Sequence, residues 1–224
     1  MQSQAENDEG ASAPNRNHFA EMARNTVMPK LQRLDAAQST GKSTPAPGET
    51  PEDRTAFFQL TDDLALSFYF QYPHGSSDVT WRALKETGFS VEELLGLATF
   101  NLHTAVHPVF TLKQLRLAPP DGAAASAVPG MGFFHYIETG DDMEASCLLV
   151  GPIWEALRPL VPGPLRIVVP NRNSCMFCGA DDTLTVAMMR DIGRSTMSDS
   201  GVNGLSDRMY TIDVNGRLLE VTDP

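Results

Sequence analysis

Cysteine and long apolar runs are scarce in this chain, and each scarcity excludes a class of protein. Three cysteines among 224 residues are too few, and an odd number, for a small scaffold built on disulfides. The most apolar stretch, Cys147 to Trp154, is broken by Gly151 and Pro152, and no stretch approaches the roughly 20 apolar residues of a transmembrane helix. Residues 1–16 lack the apolar run of a secretory signal. We therefore expect a cytoplasmic protein that does not enter a membrane.

Basic residues are also in deficit. Lysine and arginine number 17 against 28 aspartate and glutamate residues, which gives a formal net charge of −11. Nucleic acids and anionic membrane surfaces are bound through clustered cations, so both are poor partners for this chain. The charge instead favours a basic protein as partner.

Motifs for catalysis and for cofactor binding are missing. The sequence has no G-x-S-x-G nucleophile elbow, and Gly130-Met-Gly132 lacks the third glycine of a dinucleotide fingerprint. The segment 41–44 (GKST) is similar to the end of a phosphate-binding loop, but Ala36 stands where that loop needs its first glycine. We predict no cofactor and can assign no catalytic residue from motifs.

Two further patterns are incomplete as metal sites. Cys175 and Cys178 form a C-x-x-C pair, but they fall in a predicted strand, where residues three apart face opposite sides. A zinc site needs four ligands, and only Cys147 remains among the cysteines. His103 and His107 lack a carboxylate between them and fit the end of a helix better. We predict no metal, with a cysteine metal or redox site as the minor alternative.

Within the predicted domain over 56–224, acidic residues occur in four adjacent pairs. Such pairs can perform acid–base chemistry or bind divalent cations, but acids also cap helices and solvate strand starts, and the second interpretation is favoured here. The pairs are Asp62/Asp63, Glu92/Glu93, Asp141/Asp142 and Asp181/Asp182.

The order of patterns predicts an α+β fold, with a mixed or antiparallel sheet, packed helices and a disordered N-terminal tail. We divide the chain into a tail (1–16), an N-terminal helix (17–37), a Pro/Ser-rich linker (38–55) and a single α+β domain (56–224). Within the domain, Ser90 and Glu93 form a capping box that opens a helix. Asn215-Gly216 predicts a two-residue hairpin turn near the C-terminus.

The most informative polar cluster is Asn171-Arg172-Asn173, in a turn after an apolar strand. Arg172 could bind an anionic ligand or a carboxylate of a partner, although asparagines also suit turns for purely structural reasons. His135, in another predicted strand, completes the candidate binding set.

Five stretches together resemble the uncharacterised bacterial YtpQ-like family. They include a helix that ends in Ala-x-x-Asn-Leu, a Val-Pro-x-Arg strand end and a late Leu-Ser-x-Arg-hydrophobic segment. The stretches lie at 63–69, 90–102, 144–150, 165–172 and 205–210. The resemblance implies a fold related to that family over about residues 56–221, and because the family has no established activity it implies no catalytic residue.

Two functional hypotheses follow. The first is a non-catalytic bacterial binding protein, for example an immunity-type neutraliser of a basic partner, based on the charge of −11 and the missing catalytic motifs. The alternative is a small hydrolase-type enzyme with a site around Arg172, Asn173, His135 and one of the acidic pairs.

Overall fold

The structure is a computed structural model that describes residues 16–42, 50–116, 132–140 and 142–222. Within these ranges the chain forms helices and two antiparallel sheets, which confirms the predicted α+β class. The tail predicted over 1–16 falls almost entirely outside the described residues. The linker predicted over 38–55 falls partly outside them, and the prediction is wrong for residues 38–42, which belong to a helix.

The described part of the chain contains six α-helices and ten strands, besides four short 3-10 helices. The helices are α1 (Arg16–Thr26), α2 (Leu34–Lys42), α3 (Trp81–Thr87), α4 (Val91–Val106), α5 (Gly151–Leu157) and α6 (Thr183–Asp199). The strands are β1 (Val27–Arg33), β2 (Phe57–Gln59), β3 (Leu64–Tyr72), β4 (Gly75–Asp78), β5 (Thr111–Arg116), β6 (Phe133–Glu138), β7 (Leu165–Asn171), β8 (Ser174–Gly179), β9 (Tyr210–Ile212) and β10 (Leu218–Glu220). Across these ranges, no helix combines the length and the apolar character needed to span a membrane.

The smaller sheet has the order β1-β3-β2, with β4 paired to the end of β3. Helix α4 begins at the predicted capping box, since the Ser90 hydroxyl accepts from the Glu93 N–H and the Glu93 carboxylate accepts from the Ser90 N–H. Leu94 and Ala98 of α4 pack into the core beneath this sheet. The chain thus forms helix α4 where local capping and apolar spacing agree.

The prediction of a helix over 17–37 is wrong for residues 27–33, which form strand β1. Strand β1 pairs along its whole length with β3, and Pro29 lies opposite Phe68. Proline is tolerated here because β1 is an edge strand, where a missing N–H breaks no ladder bond. Pro29 therefore lies in a strand that belongs to the body of the fold.

The larger sheet has the order β10-β9-β7-β8-β6-β5. Strands β7 and β8 form a hairpin around the predicted turn at Asn171-Arg172-Asn173, and α6 covers one face of this hairpin. On the other face, Phe177 of β8 shares a hydrophobic cluster with Leu31 of β1 and Leu64 of β3. The two sheets therefore bury one common core, and the groups at its margins lie between them.

The C-terminal hairpin of β9 and β10 is confirmed, but its turn differs from the predicted one. The Asp213 N–H donates to the Arg217 carbonyl, so the turn spans residues 213–217. A type I′ turn needs positive φ at both central residues, but only Gly216 has a positive φ here. The Asp213 carboxylate accepts from the N–H groups of Asn215 and Arg217, which stabilises the longer turn.

Candidate functional site

Two grooves of similar volume lie between the two sheets beside β1. The Arg172 groove has a volume of about 440 Å³ and the Asp63 groove one of about 450 Å³. The Arg172 groove is lined by Pro29, Lys30, Leu31, Tyr69, Ser76, Asp78, Asp142, Met143, Ala145, Ser146, Arg172, Asn173 and Asn203. The Asp63 groove is lined by Arg33, Leu34, Asp35, Gln38, Asp62, Asp63, Met197, Leu205, Ser206, Asp207 and Arg208.

The β7–β8 turn positions Arg172 through backbone and asparagine contacts. The side-chain oxygen of Asn171 accepts a hydrogen bond from the Asn173 N–H at 3.0 Å. The side-chain nitrogen of Asn171 donates to the Ser200 hydroxyl at 2.8 Å. The Arg172 carbonyl accepts from the Ala145 N–H at 3.1 Å. Asn171 therefore fixes the turn, while Arg172 and Asn173 line the groove.

The Arg172 side chain is half-buried and has no acceptor among the described residues. Its Nε is buried without a hydrogen-bond partner. A buried donor without a partner costs roughly 1–3 kcal/mol, so native proteins rarely retain one. The groove thus contains a cation that a ligand could satisfy.

The other charges of the groove differ in how they are paired. Lys30 Nζ lies 3.9 Å from Asp78 Oδ1, and Asp78 Oδ2 accepts from the Thr55 hydroxyl at 2.9 Å. Asp142 is exposed, and within the described residues its carboxylate forms no ion pair or hydrogen bond. Its φ of 56° lies in the left-handed region. The groove is therefore polar and carries charges of both signs.

His135 lies apart from this groove. It is buried in β6, and its ring stacks on Phe177 with centroids 5.0 Å apart. Burial lowers the pKa of His135, and its Nδ1 has no hydrogen-bond partner among the described residues. Of the four residues predicted from sequence, Arg172 and Asn173 meet in the groove, Asn171 supports them, and His135 is not part of its lining.

Asp63 and Ser206 of the Asp63 groove form a closed hydrogen-bond network with the buried Tyr210, here named the Asp63 network. The Tyr210 hydroxyl donates to Asp63 Oδ1 at 2.7 Å, and the Ser206 hydroxyl donates to Asp63 Oδ2. Burial, followed by the negative charge of Asp63, raises the pKa of Tyr210 well above its usual range. The network joins the start of β3 to β9 and so connects the two sheets.

Arg208 extends this pairing at the edge of the Asp63 groove. Its guanidinium forms an ion pair with Glu220 and lies 3.8 Å from both Asp62 and Asp63. The hydrogen bond to Glu220, more than any other contact, raises the pKa of Arg208. Unlike Arg172, Arg208 therefore has acceptors within the fold.

The acidic pairs divide into two groups. Glu93 and Asp182 cap α4 and α6, as the capping interpretation predicts. Asp63 instead accepts hydroxyl hydrogen bonds across the two sheets, and Asp142 lines the Arg172 groove. Asp141 lies outside the described residues.

Sequence reasoning missed two charged residues of the Arg172 groove, Lys30 and Asp78. The first is far from Arg172 in sequence and belongs to a segment predicted as helix. The second follows the β3–β4 turn and carries no motif. Only the pairing of β1 and β4 with β3 brings them to the groove, and no local pattern predicts that pairing.

The cysteines are buried, and all three thiols are free. Burial raises the pKa of Cys147 and of Cys178 to about 12, and it raises the pKa of Cys175 as well. Cys175 and Cys178 belong to separate hydrophobic clusters, which confirms that they face opposite sides of the strand. Over the ranges described, no three His, Cys, Asp or Glu residues are arranged to hold a metal ion.

Comparison with known proteins gives no relative. No family model, no curated protein and no solved structure matches the chain. The function is therefore argued from the chemistry of the two grooves.

Proposed function

We propose that this protein is a non-catalytic binding protein that holds the anionic group of a ligand in the Arg172 groove. The observation that carries the proposal is the half-buried Arg172 side chain, whose Nε is buried and unpaired. A guanidinium binds a carboxylate or phosphate through two parallel hydrogen bonds, and such charge-assisted bonds are about twice as strong as neutral ones. Lys30, which also lines the groove, adds positive charge to the same space.

Binding is favoured over hydrolysis because the described residues that line the groove include no paired nucleophile and base. The Ser146 hydroxyl donates to the Pro29 carbonyl at 3.3 Å, so it is directed to the backbone and not to a base. His135, the base of the hydrolase hypothesis, does not line the groove. A serine nucleophile needs a general base within hydrogen-bond distance.

Thermal unfolding in the presence of simple anions tests this proposal. The probes are acetate, succinate and inorganic phosphate, each compared with chloride at one ionic strength. We expect at least one probe to raise the unfolding temperature of the wild type and of Arg217→Gln, an exposed control, but not that of Arg172→Gln. Equal stabilisation of all three proteins, or of none, would overturn the proposal.

A second binding function, recognition of a basic protein, is supported by the net charge of −11 and by the rim of the Asp63 groove. Asp62 and Asp207 are exposed there. A lysine-rich peptide serves as the probe, with Asp62→Asn/Asp207→Asn as the variant. We expect the wild type to bind the peptide, the affinity to fall as salt rises, and the variant to bind more weakly. Binding that is insensitive to salt and to the double substitution would contradict this function.

Location and family are likewise proposals. A cytoplasmic location is supported by three free, buried thiols, which a reducing compartment preserves. Membership of the YtpQ-like family is supported by the resemblance of the five stretches. In the fold, the first stretch contacts the last, since Asp63 accepts from Ser206 and Tyr210.

A further inference from the structure

We propose that the ligand of the Arg172 groove is a small zwitterion, with an ammonium group as well as a carboxylate, as in a free α-amino acid or a short peptide. This inference rests on the proposed function and narrows it to one chemical class. Arg172 binds the carboxylate, and Asp142 binds the ammonium group.

Two opposite charges, those of Arg172 and Asp142, line one groove without pairing with each other. Arg172 and Asp142 belong to segments that are joined by the hydrogen bond from the Ala145 N–H to the Arg172 carbonyl. Within the part of the chain that the structure describes, no ion pair or hydrogen bond connects their side chains. A ligand with complementary charges would pair with both at once, whereas a simple anion would leave Asp142 unpaired and add repulsion.

The backbone of Asp142 adopts a left-handed conformation. Its φ of 56° is the only positive value among the non-glycine residues of the described ranges. Such a conformation costs free energy, and residues held in it concentrate at ligand-binding positions. The loop therefore presents the Asp142 carboxylate to the groove at a conformational cost.

The size and the polarity of the groove also fit a small zwitterion. Its volume of about 440 Å³ falls within the range of small-molecule sites. Lys30 and Asp78, which also line the groove, are 3.9 Å apart, longer than a hydrogen bond, so each can also contact a ligand. The groove thus carries two cations and two carboxylates, which suits a ligand with two opposite charges.

Ligand analogues with one charge removed test the inference. The twenty standard amino acids and their homodipeptides are screened by thermal unfolding at fixed ionic strength. The best ligand is then compared by calorimetry with its N-acetyl form, which lacks the ammonium group, and its amide, which lacks the carboxylate. We expect each blocked form to bind the wild type at least roughly tenfold more weakly than the parent.

Two variants assign each charge to its residue. In Arg172→Gln the parent and the amide should bind with equal, weak affinity, because the carboxylate has lost its partner. In Asp142→Asn the parent and the N-acetyl form should become equal, and asparagine preserves the left-handed backbone. Arg217→Gln and Asp191→Asn, both at exposed positions outside the groove, should keep the wild-type ranking.

The outcomes separate this inference from the proposed function. If the N-acetyl form binds as tightly as the parent, the zwitterion is wrong and anion binding at Arg172 still holds. If no amino acid or dipeptide changes the unfolding temperature, the zwitterion is also wrong, and the acetate, succinate and phosphate experiment decides independently about the anion site. If a dipeptide binds more tightly than its free amino acid, the inference is supported with peptide ends as the source.

Discussion

The two grooves between the sheets have nearly the same volume but differ in how their polar groups are satisfied. In the Asp63 groove, both carboxylate oxygens of Asp63 accept hydroxyl hydrogen bonds, and Arg208 pairs with Glu220. In the Arg172 groove, the Arg172 and Asp142 side chains have no partner among the described residues, and the closest ion pair, Lys30 with Asp78, is 3.9 Å long.

This difference separates a structural role from a binding role. A buried polar network with every member satisfied stabilises the fold and fixes the sheets relative to one another. Charges without partners contribute little to the fold and are available to a ligand. Mutations in the two grooves should therefore act on different properties, namely stability in one and ligand affinity in the other.

The largest effect is expected for Asp63→Ala. The substitution removes the acceptor of the buried Ser206 and Tyr210 hydroxyls, which lie 2.7 Å apart, so one can still donate to the other and the second is left without an acceptor. We therefore expect a loss of roughly 1–3 kcal/mol in the free energy of unfolding. Urea denaturation measures the change. The neighbour Asp62 is the matched control, because its side chain is 79% exposed against 19% for Asp63. If Asp63→Ala lowers the free energy of unfolding no more than Asp62→Ala does, the Asp63 network does not stabilise the fold.

A smaller loss is expected for Arg208→Gln. The ion pair with Glu220 is partly exposed, so solvent screening limits its contribution to about 0.5–1 kcal/mol. The loss should shrink as salt is added, because screening already weakens the pair in the wild type. Urea denaturation at low and high salt measures both the size of the loss and its dependence on salt. A loss that does not change with salt would show that Arg208 stabilises the fold by packing and not by its charge.

His135 supplies a buried titratable group that belongs to neither groove. Burial lowers its pKa, so the unfolded chain takes up a proton at higher pH than the folded chain does. Its effect on stability is therefore absent well above pH 6.5 and becomes a loss as the pH falls through that value, at most about 1.4 kcal/mol per pH unit. Denaturation curves of wild type and His135→Phe should diverge below neutral pH; parallel curves would mean that His135 titrates equally in both states.

The smallest effect on stability is expected for Arg172→Gln. The arginine has no acceptor to lose. The substitution removes a buried unsatisfied Nε, which stabilises the fold, but it also removes packing of the arginine stem. We expect the two effects to leave a net change within about 0.5 kcal/mol, neutral or stabilising. Urea denaturation beside Arg208→Gln gives a direct comparison of the two arginines. A loss for Arg172→Gln that exceeds the loss for Arg208→Gln would show that Arg172 supports the fold.

Local sequence patterns predict most elements of the fold, but they do not predict strand β1. The capping box of α4 and the β7–β8 hairpin depend on neighbouring residues, so they follow from the sequence. Strand β1 depends on its pairing with β3, a long-range contact, and its apolar spacing also matches a helix. Tertiary pairing therefore overrides the local preference at residues 27–33.

The candidate site is predictable only in part for the same reason. Arg172 is recognisable because a turn between two apolar strands exposes it beside two asparagines. Lys30 and Asp78 reach the groove through sheet pairing, and Asp142 through a loop in a left-handed conformation. The sequence does not determine which face of its strand His135 lies on. In the structure the side chain is buried and stacks on Phe177.

An NMR titration with acetate, with chloride keeping the ionic strength constant, tests the difference between the grooves most directly. We expect the backbone amide signals of Ser146, Arg172 and Asn173 to shift along one saturating curve, while those of Asp63 and Ser206 do not move. In Arg172→Gln the same shifts should vanish. Shifts of equal size in both grooves, or shifts that persist in Arg172→Gln, would contradict the assignment of ligand binding to the Arg172 groove.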